Sequence, residues 1–338
     1  MDLSLMIVAA VSSLFGSGFG LFTGLVPGIH VNTLASVLLM AYPGLEIFLS
    51  GTIPQEQVPI AICSVIMSAS VVHSYVDFVP SVFIGAPDAE DAVSVLPGHR
   101  LLLKGQGMRA VRAAAVGSLI GCSVAIAIAV PLQMAMTGDT YEYIDGLTKI
   151  VLVLVSLILL YNEMRKGHLI MGIVGFVLSG ILGYAVMRLP IPCEGLFGEG
   201  TLLMPMLTGL FGLPVMLESD SGHPFPKQKD EKKDPVGPIP GFKGVLMGVV
   251  AGWFPGITST VGATVSSTIM PDRTPEQFIS TVASIGTVTT VLSLVTLSIS
   301  GGGRSGRSSS SGASWAIRLT GSLRKPSWPC LYPLPSHP

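Results

Sequence analysis

Two stretches decide how this chain is read: GLFTGLVPGIHVNTLAS, from Gly20 to Ser36, and GVVAGWFPGITSTVGAT, from Gly248 to Thr264. Identities fall at Gly20/Gly248, Gly24/Gly252, Pro27/Pro255, Gly28/Gly256, Ile29/Ile257 and Ala35/Ala263, all at a spacing of 228 residues. In each, an apolar helix with regularly spaced glycines runs into a Pro-Gly pair. Proline lacks the backbone N–H and clashes with the preceding turn, and glycine accepts angles other residues resist, so the helix breaks there. New half-helices are predicted to begin at Ile29 to Thr33 and at Ile257 to Val261.

The sequence around these stretches places them in a membrane. Apolar runs recur from Leu3 to Val26, Val58 to Gly85, Ala110 to Met136, Leu147 to Tyr161 and Leu169 to Met187. Most approach or exceed the length a helix needs to cross about 30 Å of hydrocarbon. Hydrophobic residues make up 49% of the chain and charged ones only 12%, with a mean hydropathy of +0.67, too few polar groups to cover a water-facing surface. The expectation is an all-α polytopic membrane protein with about nine or ten apolar helical segments. A cleavable signal peptide is excluded because no Lys or Arg precedes the first apolar run and that run is too long, which makes it a retained first helix. Cys63, Cys122, Cys193 and Cys330 show neither CxxC nor Cys/His spacing, so neither a metal site nor a disulfide framework is indicated.

Charge placement sets an orientation. The net charge of −1 offers no field for nucleic acid, and the charges cluster in connecting segments. Loops rich in Lys and Arg stay cytoplasmic. Arg100, Lys104, Arg109 and Arg112 therefore lie inside, as do Arg165 and Lys166, and Lys227, Lys229, Lys232, Lys233 and Lys243. The connections at Glu46 to Gln57 and Asp139 to Asp145 carry acids and no Lys or Arg, and lie outside. With Leu202 to Leu217 counted as one crossing the sides alternate, giving a multi-pass protein of the inner (cytoplasmic) membrane. Residues 1–217 form a first membrane repeat with additional helices, 218–240 a charged cytoplasmic linker, 241–300 the start of a second repeat, and 301–338 a tail.

On this count the two Pro-Gly helices are threaded in opposite senses. Inverted repeats with broken helices mark many secondary transporters, with the solute held near the midplane where the breaks meet. Broken backbone at membrane depth is tolerated where it lines a cavity. Half-helix N-termini favour anions. The candidate substrate-binding residues are Pro27, Gly28, His30, Asn32 and Thr33 in the first copy, and Pro255, Gly256, Thr258, Ser259 and Thr260 in the second. His73 and Asp77, at i and i+4 within an apolar run, are candidates for coupling to Na+ or H+, since ionisable groups inside a membrane are expensive and generally functional. Asp88 and Asp91, with Glu90, His99 and Arg100, are candidates for a gate. No HExxH, no GxSxG with a placed His, no Walker loop and no GxGxxG after a strand is present, so no catalytic residues, metal or other cofactor are assigned.

The G-x-x-x-G-x-x-P-G-I pattern in both halves, with GAPDAEDAVSVLPGHRLLLKGQGMRAVRAAAVGSLIG from Gly85 to Gly121, resembles the TctA family, the large membrane subunit of tripartite tricarboxylate transporters, and looks nearest to its divergent archaeal branch. Pro97-Gly98-His99 and Lys104-Gly105-Gln106-Gly107 occupy the places of family turns, and the resemblance runs roughly from Leu14 to Gly301. It implies a permease subunit moving a small organic anion by ion-coupled alternating access, with a small membrane subunit and an extracytoplasmic solute-binding protein as partners. Asp88, Glu90 and Asp91 depart from the neutral loop of the better-known members, which also admits a cation site or a cationic or zwitterionic substrate. After Ile299 the apolar pattern stops, and Gly302 to Pro338 is predicted to be disordered, reading like a frameshifted or truncated end of the second repeat. Two other classes stay open: an intramembrane enzyme using His73 and Asp77 on a lipid-linked substrate, and a channel-like membrane protein.

Overall fold

A computed structural model describes residues 3–26, 29, 31–85, 94–135, 139–189, 194–195, 198–199, 206, 209–210, 226–229, 236–254 and 256–300. The Leu202 to Leu217 crossing, Asp88, Asp91, most of the charged linker and the tail after Ser300 lie outside them, apart from isolated positions.

The described residues are helical, as the apolar runs require. The first group comprises α1 (Leu3–Leu25), α2 (Val31–Met40), α3 (Tyr42–Leu49), a single 3-10 turn (Gln55–Gln57), α4 (Val58–Val76) and α5 (Phe78–Phe83). Next come α6 (Val95–Leu103), α7 (Gly107–Ala135), α8 (Asp139–Gly146), α9 (Thr148–Arg165) and α10 (Leu169–Arg188). The strands β1 (Glu194–Gly195) and β2 (Gly198–Glu199) pair antiparallel in a two-residue ribbon, and α11 (Ile239–Trp253), α12 (Ser259–Ile269) and α13 (Pro275–Ser300) follow. Among the described residues, five stretches are long and apolar enough to cross a membrane: Leu3–Leu25, Gln55–Phe83, Gly107–Ala135, Tyr143–Arg165 and Leu169–Val186.

Glycine stripes set the packing and reveal its direction. Small residues at every fourth position let helix backbones approach closely in a membrane. On α1, a β-carbon at Gly16 would strike Val65 and Ser68, one at Gly20 would strike Ala69 and Val72, and one at Gly24 would meet His73 and Val76. The contacts climb both helices together, so α1 and α4 are parallel. The Gln57 side-chain amide donates to Ser4 Oγ at 2.9 Å and ties their two starts together.

The same construction appears in α11 and α13. Gly244 faces Thr281 and Ser284, Gly248 faces Ile285 and Val288, and Gly252 faces Thr289 and Leu292. Those helices are parallel as well. The glycines Gly16, Gly20 and Gly24 stand 228 residues before Gly244, Gly248 and Gly252, while their contacts Ser68, Val72 and Val76 stand 216 before Ser284, Val288 and Leu292. Twelve more residues therefore separate the two packed helices in the first copy, the space taken by α3 and the 3-10 turn. In this register the proline matching Pro275 is Pro59, at the start of α4.

The two pairs face opposite ways. Phe83 at the end of α5 lies beside Gly107 at the start of α7, and the Tyr75 hydroxyl meets the Cys122 thiol, so contacts rise along α7 as they fall along α4. α7 in turn runs with α13: Gly117 lies against Ser280, Gly121 against Ser284, and Ser118 Oγ donates to the Ala283 carbonyl at 3.4 Å. Thus α1 and α4 point one way and α7, α11 and α13 the other.

Burial follows this arrangement. α13 is the central helix: Ile279, Val282, Ala283, Ile285, Val288 and Leu292 are fully buried. Its enclosure by other helices lets it carry many hydroxyls, several of which return to its own backbone, as Thr287 Oγ1 does to the Ala283 carbonyl at 3.0 Å. α9 and α10 form an outlying hairpin with no buried residues in α9, clothed in apolar side chains such as Leu157, Ile170, Phe176 and Ile181 that suit contact with lipid tails.

Candidate functional site

Each glycine helix ends at its Pro-Gly pair. α1 stops at Leu25, the Val26 N–H still reaches the Phe22 carbonyl at 3.1 Å, and the Ile29 N–H closes a turn on the Val26 carbonyl at 3.3 Å. The next helix, α2, starts at Val31. Pro27, Gly28 and His30 lie outside the described residues; Asn32 belongs to the first turn of α2, and Thr33 is half-buried there.

The second break is built alike. The Phe254 N–H donates to the Val250 carbonyl at 3.0 Å, and the Ile257 N–H to the Phe254 carbonyl at 3.4 Å. Gly256 takes φ +89°, a conformation that a side chain would strain, while Pro255 lies outside the described residues. Thr258 is the N-cap of α12: its backbone is extended and its Oγ1 accepts from the Val261 N–H at 3.3 Å. Ile257 and Ser259 are buried, Thr260 is half-buried, and Gly256 and Thr258 are exposed. From α9, Leu152 covers the turn, lying 3.2 Å from where a Gly256 β-carbon would be.

Polar groups from the partner helix lie against the end of the first glycine helix. His73 Nδ1 is 3.0 Å from Thr23 Oγ1, both side chains being buried. The Thr23 hydroxyl can give its proton to the Gly20 carbonyl at 3.3 Å, which leaves its oxygen to accept from a protonated Nδ1. Asp77 is buried at the junction of α4 and α5; its N–H donates to the His73 carbonyl at 3.0 Å, and its carbonyl accepts from the Ser81 N–H at 3.1 Å. His73 therefore meets Thr23 just before the Pro-Gly pair, and Asp77 lies one turn further along, at the end of α4. Asp88 and Asp91, the candidate gate residues, lie outside the described residues.

Two features escaped the sequence reading. At the open end of the α11–α12 hairpin, Lys243 Nζ lies 2.9 Å from Asp272 Oδ1 with both side chains largely buried, and Thr281 Oγ1 is 3.4 Å from the same carboxylate oxygen. Beside it, Arg109 of α7 pairs with Glu276 of α13 at 3.1 Å. The sequence marks these cations only as cytoplasmic loop charge; the acids Asp272 and Glu276, beside Pro271 and Pro275, are the signal for their pairing. The second is a strap. Within the linker, the Lys229 N–H donates to the Gly105 carbonyl at 2.7 Å, and Gln228 Oε1 accepts from the Gly107 N–H at 2.8 Å, capping α7.

Among the described residues no cluster of three or more His, Cys, Asp or Glu could hold a metal ion. The sequence profile of the tripartite tricarboxylate transporter TctA family matches residues 11–308, most of the chain. The chain belongs to the TctA family. An uncharacterized protein of Methanocaldococcus jannaschii is 30% identical to this TctA-family chain over 272 residues, covering 79% of the chain and 63% of that relative. The chain thus spans less than two thirds of the length of the curated relative it matches. No solved structure matches it. Membership makes the TctA-family chain part of a tripartite tricarboxylate transporter family, in keeping with its membrane-length helices.

Proposed function

We propose that this chain is the permease subunit of a tripartite transporter and moves a small carboxylate solute by ion-coupled alternating access. The observation that carries this reading is the opposed direction of α1 and α11. Each ends in a Pro-Gly turn, and each lies on a parallel partner helix in the same register. That relation supports a pair of inverted repeats, the architecture in which two repeats rock about a shared site.

Lengths support a site inside the bilayer. The Lys243–Asp272 pair fixes the open end of the α11–α12 hairpin. From there α12, with 11 residues, reaches about 16 Å, roughly half of a 30 Å hydrocarbon core. The tip at Gly256 therefore ends within the membrane. Amide ends at Ile29 to Thr33 and at Ile257 to Thr260, with His30, Asn32, Thr258, Ser259 and Thr260 as side-chain donors, would hold the carboxylates. The buried side chains of His73 and Asp77, with Thr23 beside His73, are the place for a coupling Na+ or H+, since ionisable groups inside a membrane are costly and generally functional. Asp88 and Asp91 would gate the cytoplasmic side. In the family's tripartite arrangement, a small membrane subunit and an extracytoplasmic solute-binding protein complete the system in the inner membrane.

The test is carboxylate binding and uptake. Purified protein should bind one of citrate, succinate or lactate, and membrane vesicles carrying it with its partner subunits should accumulate that solute under an ion gradient. Asn32→Ala and Thr258→Ala should each reduce both by tenfold or more. Binding and uptake unchanged in both variants would remove the two turns as the site.

A further inference from the structure

The packing register identifies a residue that no motif singled out. His73 stands against Gly24, its Cα 3.3 Å from the place of a β-carbon there; 216 residues later, Thr289 stands against Gly252, its Cα 3.4 Å from the corresponding place. The second glycine helix therefore has a polar side chain where the first has its imidazole. Their immediate partners differ: His73 has Thr23 at 3.0 Å, whereas the residue matching Thr23 is Ala251, which offers no hydrogen bond.

The packing register puts Thr289 level with the start of α12. Ile285 Cγ2 lies 3.4 Å from the place of a Gly262 β-carbon, so this face of α13 looks onto α12. The two helices are antiparallel, because α12 returns along α11. One turn toward the hairpin tip leads from Ile285 to Thr289 on α13 and from Gly262 to Thr258 and Ser259 on α12. Thr289 is 2% exposed, and its Oγ1 has no hydrogen-bond partner among the described residues. A buried hydroxyl without a partner is unfavourable unless something else uses it. Its neighbour Thr287, equally buried, satisfies its hydroxyl on the Ala283 carbonyl instead.

We infer that Thr289 is a solute-binding residue of the second turn, the counterpart of His73 at the first, and that its hydroxyl donates to a carboxylate oxygen seated at the N-terminus of α12. The inference rests on the transporter reading above and adds to it a specific donor from the central helix. Because α13 also packs on α7, Thr289 links the bound solute to the scaffold helix as well as to the hairpin.

The experiment compares Thr289→Val, Thr289→Ser and Thr287→Val in the purified chain. Thermal unfolding is measured without ligand and with citrate, succinate or lactate, and affinity is measured by equilibrium dialysis. Thr289→Val keeps the shape and removes the hydroxyl, so the ligand-free protein should unfold at the same temperature or higher, while affinity for the bound carboxylate falls about tenfold or more. Thr289→Ser should restore most of the affinity, and Thr287→Val should leave it unchanged. If Thr258→Ala weakens binding and Thr289→Val does not, Thr289 is overturned and the transporter site stands. If the unsubstituted protein binds none of the three carboxylates, the site itself fails, and Thr289 with it.

Discussion

Lys243 and Asp272 form an ion pair at 2.9 Å that closes the open end of a helical hairpin whose other end is the second Pro-Gly turn. The pair is largely buried, and Thr281 of the central helix reaches the same carboxylate, so the hairpin is fixed at its base.

Removing one member of a buried pair leaves a charge without its counterion, at a cost of about 3 kcal/mol or more. Lys243→Ala and Asp272→Ala should each lower the thermal unfolding temperature in detergent markedly. The double change Lys243→Met with Asp272→Leu should recover most of that loss, because no charge then stays buried. A double variant as unstable as either single one would mean that the pair is needed for more than charge balance.

The glycine stripes give a sharper contrast. Gly20 and Gly248 have no room for a β-carbon, while Gly18 and Gly180 have nothing within 4 Å. Gly20→Leu and Gly248→Leu should each destabilise by about 1–3 kcal/mol or prevent folding, whereas Gly18→Leu and Gly180→Leu should unfold within a degree or two of the parent. Size-exclusion profiles and thermal unfolding separate the outcomes.

The strap across the α6–α7 turn depends on Gly105, which takes φ +76° and lies against the Lys227 carbonyl, 2.7 Å from where a β-carbon would be. Gly105→Val should release the linker, and Gln228→Ala should weaken it by removing the cap on α7, worth about 1 kcal/mol. Limited proteolysis at Lys227 and Lys229 should be faster in both variants, and fastest in Gly105→Val.

Thr23→Val takes away the hydroxyl that His73 Nδ1 meets, leaving a buried imidazole nitrogen without it. The cost should be about 1–3 kcal/mol, and ion-driven uptake should lose its dependence on pH or sodium while binding at the second turn persists. Unaltered ion dependence would move the coupling site away from this unit.

Much of this was legible in the chain. Apolar length alone dictated helices at Leu3–Leu25, Gly107–Ala135 and Leu169–Val186, because membrane thickness leaves little else possible. The breaks at both Pro-Gly pairs were legible for the same local reason, since proline and glycine act on their own backbone. What was not legible depends on which helix meets which. Gly16, Gly20 and Gly24 announce a close contact but do not say that α4 receives it. Lys243 and Asp272 are far enough apart in sequence that only the returning hairpin joins them, and Thr289 looked like one hydroxyl among many on α13. The division between α4 and α5 at Asp77, within one continuous apolar run, was not legible either.

The central claim is that the two glycine helices cross in opposite senses, and single-cysteine labelling tests it most directly. In a background free of the native cysteines, Gln55→Cys reports the end where α1 and α4 start, and Lys229→Cys the end where α7 and its strap start; both positions are exposed. With a membrane-impermeant maleimide and sealed vesicles of known orientation, the two cysteines should label from opposite sides, Gln55→Cys from outside and Lys229→Cys from the cytoplasm. Labelling of both from the same side would contradict the account.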